Sequence, residues 1–222
     1  MTSTPGSAAP TASSPAAVPA RARHLRRFSA SERLAHWLLA STFLTMLASG
    51  LVLYLPSLAE VAARRQLWKA IHLAAAASLW GGLVLIALVD GGRLRRTARQ
   101  IDRFDDDDRR WLVWVVRRRG AEPPQGRFNA GQKLNAAIVA GLLCVLTASG
   151  LLMLLSEMKS RFRGTSAILV HDLATYAVLL LLLGHLYLAV IHPATRHSLR
   201  GMVLGSVRED WARRHHPKWD GE

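Results

Sequence analysis

The chain has one cysteine, Cys144, and that scarcity closes off several chemistries. A lone thiol forms no internal disulfide, supplies no CxxC zinc site and offers no CxxCH attachment for a c-type haem. An iron–sulfur cluster held by this chain alone would need about four cysteines. Cys144 itself, inside an apolar stretch, reads as a small buried apolar residue. Acidic side chains are also few: 15 Asp plus Glu stand against 29 Lys plus Arg, a formal charge of +14. Such an excess suits nucleic acid. Here, however, the basic residues lie almost entirely between apolar stretches, which fits a membrane protein with basic flanks and no nucleic-acid partner.

Apolar sequence is what the chain has in plenty. Half of its 222 residues are hydrophobic, 20% are charged, and the mean hydropathy is +0.16. The apolar residues gather into four stretches, about 34–55, 67–89, 134–155 and 167–191. Each can cross a hydrocarbon core of about 30 Å as a helix of roughly 20 residues. The expected fold is all-α, an integral membrane four-helix bundle over residues 21–192, with 193–222 as a cytoplasmic C-terminal tail. Residues 1–20 contain only Ala, Pro, Ser, Thr, Gly, Val and Met, and are expected to form a disordered leader. The first apolar stretch exceeds a signal-peptide core of roughly 7–15 residues, so it reads as a retained helix.

Lys and Arg are unevenly divided among the connections. The N-terminal segment to Arg33 carries five, the 91–133 connection twelve and the tail after Ile191 six, whereas 56–69 and 156–166 carry three each. Twenty-three against six places both termini and the long connection in the cytoplasm. Within the long connection, Asp105–Asp108 precede RRWLVWVVRRRG (109–120), an amphipathic segment suited to lie among lipid headgroups. The acidic run lacks the ligand spacing of a calcium loop and reads as a solvated turn or helix start. A short repeat is also present: LASGL (47–51) recurs as TASGL (147–151), and Ile71-His72 as Val170-His171. That offset would make the chain two related helical hairpins.

Four of the nine histidines fall within the apolar stretches: His36, His72, His171 and His185. Ionisable groups are costly in hydrocarbon, so each is a functional candidate; the alternative is a structural histidine bonded to a neighbouring helix. His171 and His185 are 14 residues apart, which puts them about 40° apart in direction and about 21 Å apart along one helix. One face therefore carries an imidazole near each side of the membrane. His36 lies level with His185, and His72 level with His171, giving two facing pairs. Paired neutral imidazoles are what a six-coordinate b-type haem requires. Gly50, on the face of His36 and level with the other pair, and the small residues Ala74–Ala77 and Gly81-Gly82 would admit a macrocycle or simply allow tight helix packing. His192 shares a face with His185 but sits at the span end before Pro193, and is the weaker alternative ligand.

These residues, with RLAHW (33–37), AIHLA (70–74), RFNAGQK (127–133) and WARRHHPKW (211–219), resemble the formate dehydrogenase gamma subunit family, the membrane cytochrome b556, over about 21–219. The resemblance implies two stacked b-type haems, the outer on His72 and His171 and the inner on His36 and His185, the pairing that depth and periodicity give. It implies a quinone site at the cytoplasmic face around Asn129, with Gly131, Gln132 and His185 nearby; from the residues alone, Asn129 also reads as a helix N-cap. Asp172, where the family has a small apolar residue, receives no role. The partners implied are an iron–sulfur beta subunit, a catalytic molybdenum or tungsten alpha subunit, quinone and membrane lipid, with formate oxidation on another subunit. The alternatives are the cytochrome b subunit of a nickel–iron hydrogenase or related periplasmic oxidoreductase, or a non-redox anchor or metal-ion transporter.

Overall fold

The computed structural model describes residues 23–55, 57–58, 60, 64–158 and 165–221, so the leader expected over 1–20 lies outside it. All four apolar stretches are helices long and apolar enough to cross a membrane. Helix α1 spans Ala30–Tyr54, α2 Arg65–Asp102, α3 Asp106–Arg117, α4 Ala130–Met158 and α5 Thr165–Leu186, the last prolonged by a π-turn over Tyr187–Ile191.

The helix starts follow from local chemistry. Ser29 caps α1: its hydroxyl accepts the Glu32 N–H at 3.2 Å, and the Glu32 carboxylate accepts the Ser29 N–H at 2.8 Å. Asp105 and Asp108 do the same for α3, at 2.8 and 2.9 Å. The acidic run is thus a helix start, and among the described residues no group of three His, Cys, Asp or Glu could hold a metal. Asp108 is nonetheless buried, because α3 packs against the beginning of α4 and pairs Asp108 with Lys133 at 2.6 Å.

Helix α2 runs 13 residues past the span end expected at Val89, its helical path resuming in RLRRTARQ after an interruption. It bends at Asp90 (φ −139°, ψ 40°), just before Gly91-Gly92, and the Ser31 hydroxyl donates to the Asp90 carboxylate at 2.6 Å. Cys144 is exposed on α4 rather than buried in protein. A thiol is apolar enough to face lipid, so its sequence context misled about the side but not about the medium.

Helix α1 packs along α2 and α4 along α5, and the two hairpins touch mainly through α2 and α4. The backbones of α1 and α5 stay apart, bridged by a hydrogen bond between the Tyr54 and Tyr176 hydroxyls at 3.0 Å. The outer faces present apolar side chains such as Leu88 and Val89, each 79% exposed, as lipid-facing surfaces should.

Past Ile191 the chain folds back. A 3-10 turn (Arg196–Ser198), α6 (Leu199–Leu204), strand β2 (Ser206–Arg208) and α7 (Glu209–His215) follow, and β2 pairs antiparallel with β1 (His24–Arg26). Three-residue strands carry too little alternation to be visible in a sequence that is otherwise all-helical. Val207, Trp211, Ala212 and Trp219 close over Leu25 as a buried apolar cluster. The N-terminal segment, the long connection and the tail therefore meet at one end of the bundle.

Candidate functional site

The structure brings the four intramembrane histidines together as two pairs. The rings of His36 and His185 have centroids 6.1 Å apart, those of His72 and His171 6.4 Å, both inclined at 58°. Two imidazole nitrogens about 2.0–2.1 Å from one metal, each about 1.1 Å from its own ring centre, would set the centroids about 6.3 Å apart. Both pairs could hold a metal between them, and among the described residues neither pair is joined by a hydrogen bond of its own.

The His72–His171 pair has a supporting shell. The Ser49 hydroxyl donates to the Thr45 carbonyl at 2.7 Å, so its oxygen is left to accept from His72 Nδ1 at 3.1 Å; the Met46 carbonyl accepts from the same nitrogen at 3.0 Å. Ser149 repeats this on the other hairpin, donating to the Val145 carbonyl at 2.7 Å and accepting from His171 Nδ1 at 3.0 Å. With Nδ1 protonated, Nε2 keeps the lone pair that a metal needs. Two glycines border the rings, with room for a Cβ in ordinary contact and for little more. A Cβ on Gly50 would stand 3.5 Å from His72 Cε1, and one on Gly150 3.4 Å from His171 Cε1. The repeat of LASGL in TASGL is therefore physical: each copy supplies a serine and a glycine to one histidine of the pair. Ser49, Ser149 and Gly150 were not singled out by sequence reasoning, although that repeat contained them.

Other candidates sort differently. A Cβ on Gly82 would meet Leu38 Cδ2 at 2.5 Å, so this glycine serves α1–α2 packing, while Gly81 has nothing within 4 Å. His192 stacks edge-on against Tyr187 at 5.8 Å, with Nδ1 3.3 Å from the Thr195 hydroxyl, and belongs to neither pair.

Asn129 stands at the start of α4, where its Oδ1 accepts the Gln132 N–H at 2.8 Å while Gln132 Oε1 accepts the Asn129 N–H at 3.0 Å. The capping expected of it is present. Gly131 lies under the Trp111 ring, which a Cβ would approach to 3.2 Å. The two motifs RFNAGQK and HHPKW meet in space here. Arg127 pairs with the buried Glu32 at 2.7 Å, and Lys218 with Asp105 at 2.9 Å and Asp107 at 2.5 Å. Lys218 holds the Asp105 carboxyl down at about 2. Arg27 is 2% exposed between the rings of Phe28, Trp211 and Trp219, and burial with the Arg127 charge lowers its pKa to about 9.

The model of the prokaryotic cytochrome b561 family matches residues 27–205. The chain belongs to that family. It is thus a membrane cytochrome b, and the family implies that it binds b-type haem. Among related proteins, the formate dehydrogenase cytochrome b556 subunit of Haemophilus influenzae is 25% identical over 197 residues, 84% of this chain and 78% of that protein. The formate dehydrogenase cytochrome b556(fdo) subunit of Escherichia coli (strain K12) is 27% identical over 206 residues, 87% and 90% of the two chains. Cytochrome YdhU of the same organism is 30% identical over 196 residues, 82% and 74% of the two chains. Within the cytochrome, the paired histidines sit where helices α1, α2 and α5 face one another across the gap between the hairpins.

Proposed function

We propose that this cytochrome is the membrane subunit of a formate dehydrogenase, carrying electrons from an iron–sulfur partner at the periplasmic face to a quinone near the cytoplasmic face of a bacterial inner membrane. The observation that carries this reading is the two ring pairs, 6.1 and 6.4 Å between centroids, stacked on α5. His72 and His171 would hold the outer of two b-type haems, and His36 and His185 the inner. Bound b-type haem supplies one-electron transfer. Everything else falls to side chains of the chain itself. Ser49 and Ser149 fix the Nδ1–H tautomer, and Gly50 and Gly150 leave no room beside the rings for a side chain much larger than a methyl.

Asn129 is the proposed quinone contact, with Gly131 and Gln132 beside it. Its Oδ1 is committed to the Gln132 N–H, yet among the described residues its Nδ2 and the Gly131 N–H have no partner. Two donors without charge suit a quinone carbonyl in an apolar setting. Reduction takes two electrons and two protons per quinone; the interlock around Asn129 lies at the end of the bundle carrying the basic segments, where cytoplasmic water would supply the protons. The same asymmetry, 23 basic residues against 6, supports both termini being cytoplasmic.

The test is reoxidation of the dithionite-reduced, purified chain by a soluble quinone analogue, followed at the haem α-band. The wild type should reoxidise with saturation, and Asn129→Ala should raise the half-saturating concentration about tenfold, one hydrogen bond's worth. No quinone-dependent reoxidation contradicts the proposal. Formate-driven reduction in membranes carrying the partner subunits tests the donor, and reduction by hydrogen instead would assign the chain to a hydrogenase.

A further inference from the structure

The loop in front of Asn129 makes no regular secondary structure, yet three of its carbonyls are held by distant parts of the chain. The Gln125 carbonyl accepts the Lys218 N–H at 3.1 Å, the Gly126 carbonyl accepts from His216 Nδ1 at 2.6 Å, and the Arg127 carbonyl accepts from Arg27 Nη2 at 2.9 Å. Three consecutive carbonyls are thus taken by the C-terminal tail and the N-terminal segment. His216 joins the two, because its Nε2 accepts a second hydrogen bond from Arg27 Nη2 at 2.9 Å. The side chain of Gln125 completes the path: its Oε1 accepts the Ala130 N–H at 2.8 Å, adjoining Asn129, and its Nε2 donates to the Asp107 carbonyl at 3.3 Å. His216 and Gln125 are each 2% exposed. A bond between two buried partners is costly to leave unmade, so this chain of contacts is stiff.

We infer that the tail segment His216–Lys218 is a strap that positions the Asn129 amide for quinone, with His216 and Gln125 as positioning residues. The inference rests on the quinone reading above and adds to it the reason the tail folds back at all. Without the strap, α4 keeps its Asn129–Gln132 cap but loses the fixed approach of residues 125–128, so the amide wanders relative to the ring pair on α5. The neutral state of His216 serves this role: burial first, and then the Arg27 charge, lower its pKa to about 3, leaving Nε2 free to accept while Nδ1 donates.

The experiment compares His216→Ala, His216→Asn and Asn129→Ala in the reoxidation assay on the full-length, haem-loaded chain. His216→Ala should raise the half-saturating quinone concentration about tenfold while the maximal rate and the haem spectrum stay unchanged. His216→Asn, whose amide can replace the Nδ1 donor, should recover most of the affinity. If His216→Ala does not accumulate, Lys218→Gln, which removes the ion pairs to Asp105 and Asp107, should raise the same concentration by a smaller factor. Unchanged affinity in the tail variants alongside a tenfold rise in Asn129→Ala overturns the strap alone. Unchanged affinity in Asn129→Ala as well overturns the quinone reading and the strap with it.

Discussion

A serine hydroxyl decides which nitrogen of His72 carries the proton. Because Ser49 gives its own proton to Thr45, it can only accept from Nδ1, and Nε2 is left bare; Ser149 and His171 repeat the arrangement. Replacing either serine by alanine leaves the ring without that anchor and should weaken retention of one of the two proposed haems about tenfold, with the other unaffected. Haem loss to excess apomyoglobin, timed for each variant, checks this. Gly150 makes a steric prediction of the same kind. Since even a Cβ would stand 3.4 Å from His171 Cε1, Gly150→Val should displace the ring and remove one haem, whereas Gly141→Val, with nothing within 4 Å, should keep both. Absorbance of the reduced α-band per chain distinguishes the two.

Among the elements, the interlock at the basic end of the bundle is the part with most to lose. Glu32 caps α1, pairs with Arg127 and also accepts from Thr97, tying α1, α2 and the loop before α4. Glu32→Gln leaves the guanidinium without its counter-charge and should cost about 3–5 kcal/mol, seen as an earlier thermal loss of the tail's folded signal. The strap has a pH signature of known sign. The folded pKa of His216 is about 3, below its ordinary 6.5, so its contribution is complete above pH 6.5 and is lost as pH falls toward 3. The Lys218 amide, which donates to the Gln125 carbonyl, should have a protection factor that is flat above pH 6.5 and falls below it; protection unchanged at pH 3.5 would contradict the assignment. These features mark the limit of what sequence shows. The Asn129 cap and the helix start at Asp105–Asp108 are legible because their partners lie three residues apart; Ser29–Glu32 has the same spacing but was passed over. The bonds of His216 to Gly126 and of Arg127 to Glu32 span 90 and 95 residues, and no local pattern announces them.

At the scale of the whole molecule, the spans and the histidine pairing were legible because lipid enforces them. A helix must be apolar along its whole crossing, and a histidine placed there is conspicuous. The ribbon of β1 and β2, the bend at Asp90 and the lipid-facing side of Cys144 depend on tertiary packing and stayed hidden. The same physics predicts orientation: a fluorescent protein fused after Glu222 should fluoresce in living cells, while an alkaline phosphatase fused there should be inactive. The central claim is that two separate ring pairs each hold one haem. Haem per chain, measured by pyridine haemochrome, tests it most directly when histidines are removed in twos. His36→Ala with His185→Ala should leave one haem, as should His72→Ala with His171→Ala, whereas His36→Ala with His72→Ala should leave none. A same-pair double variant that loses both haems, or a cross-pair variant that keeps one, would contradict the account.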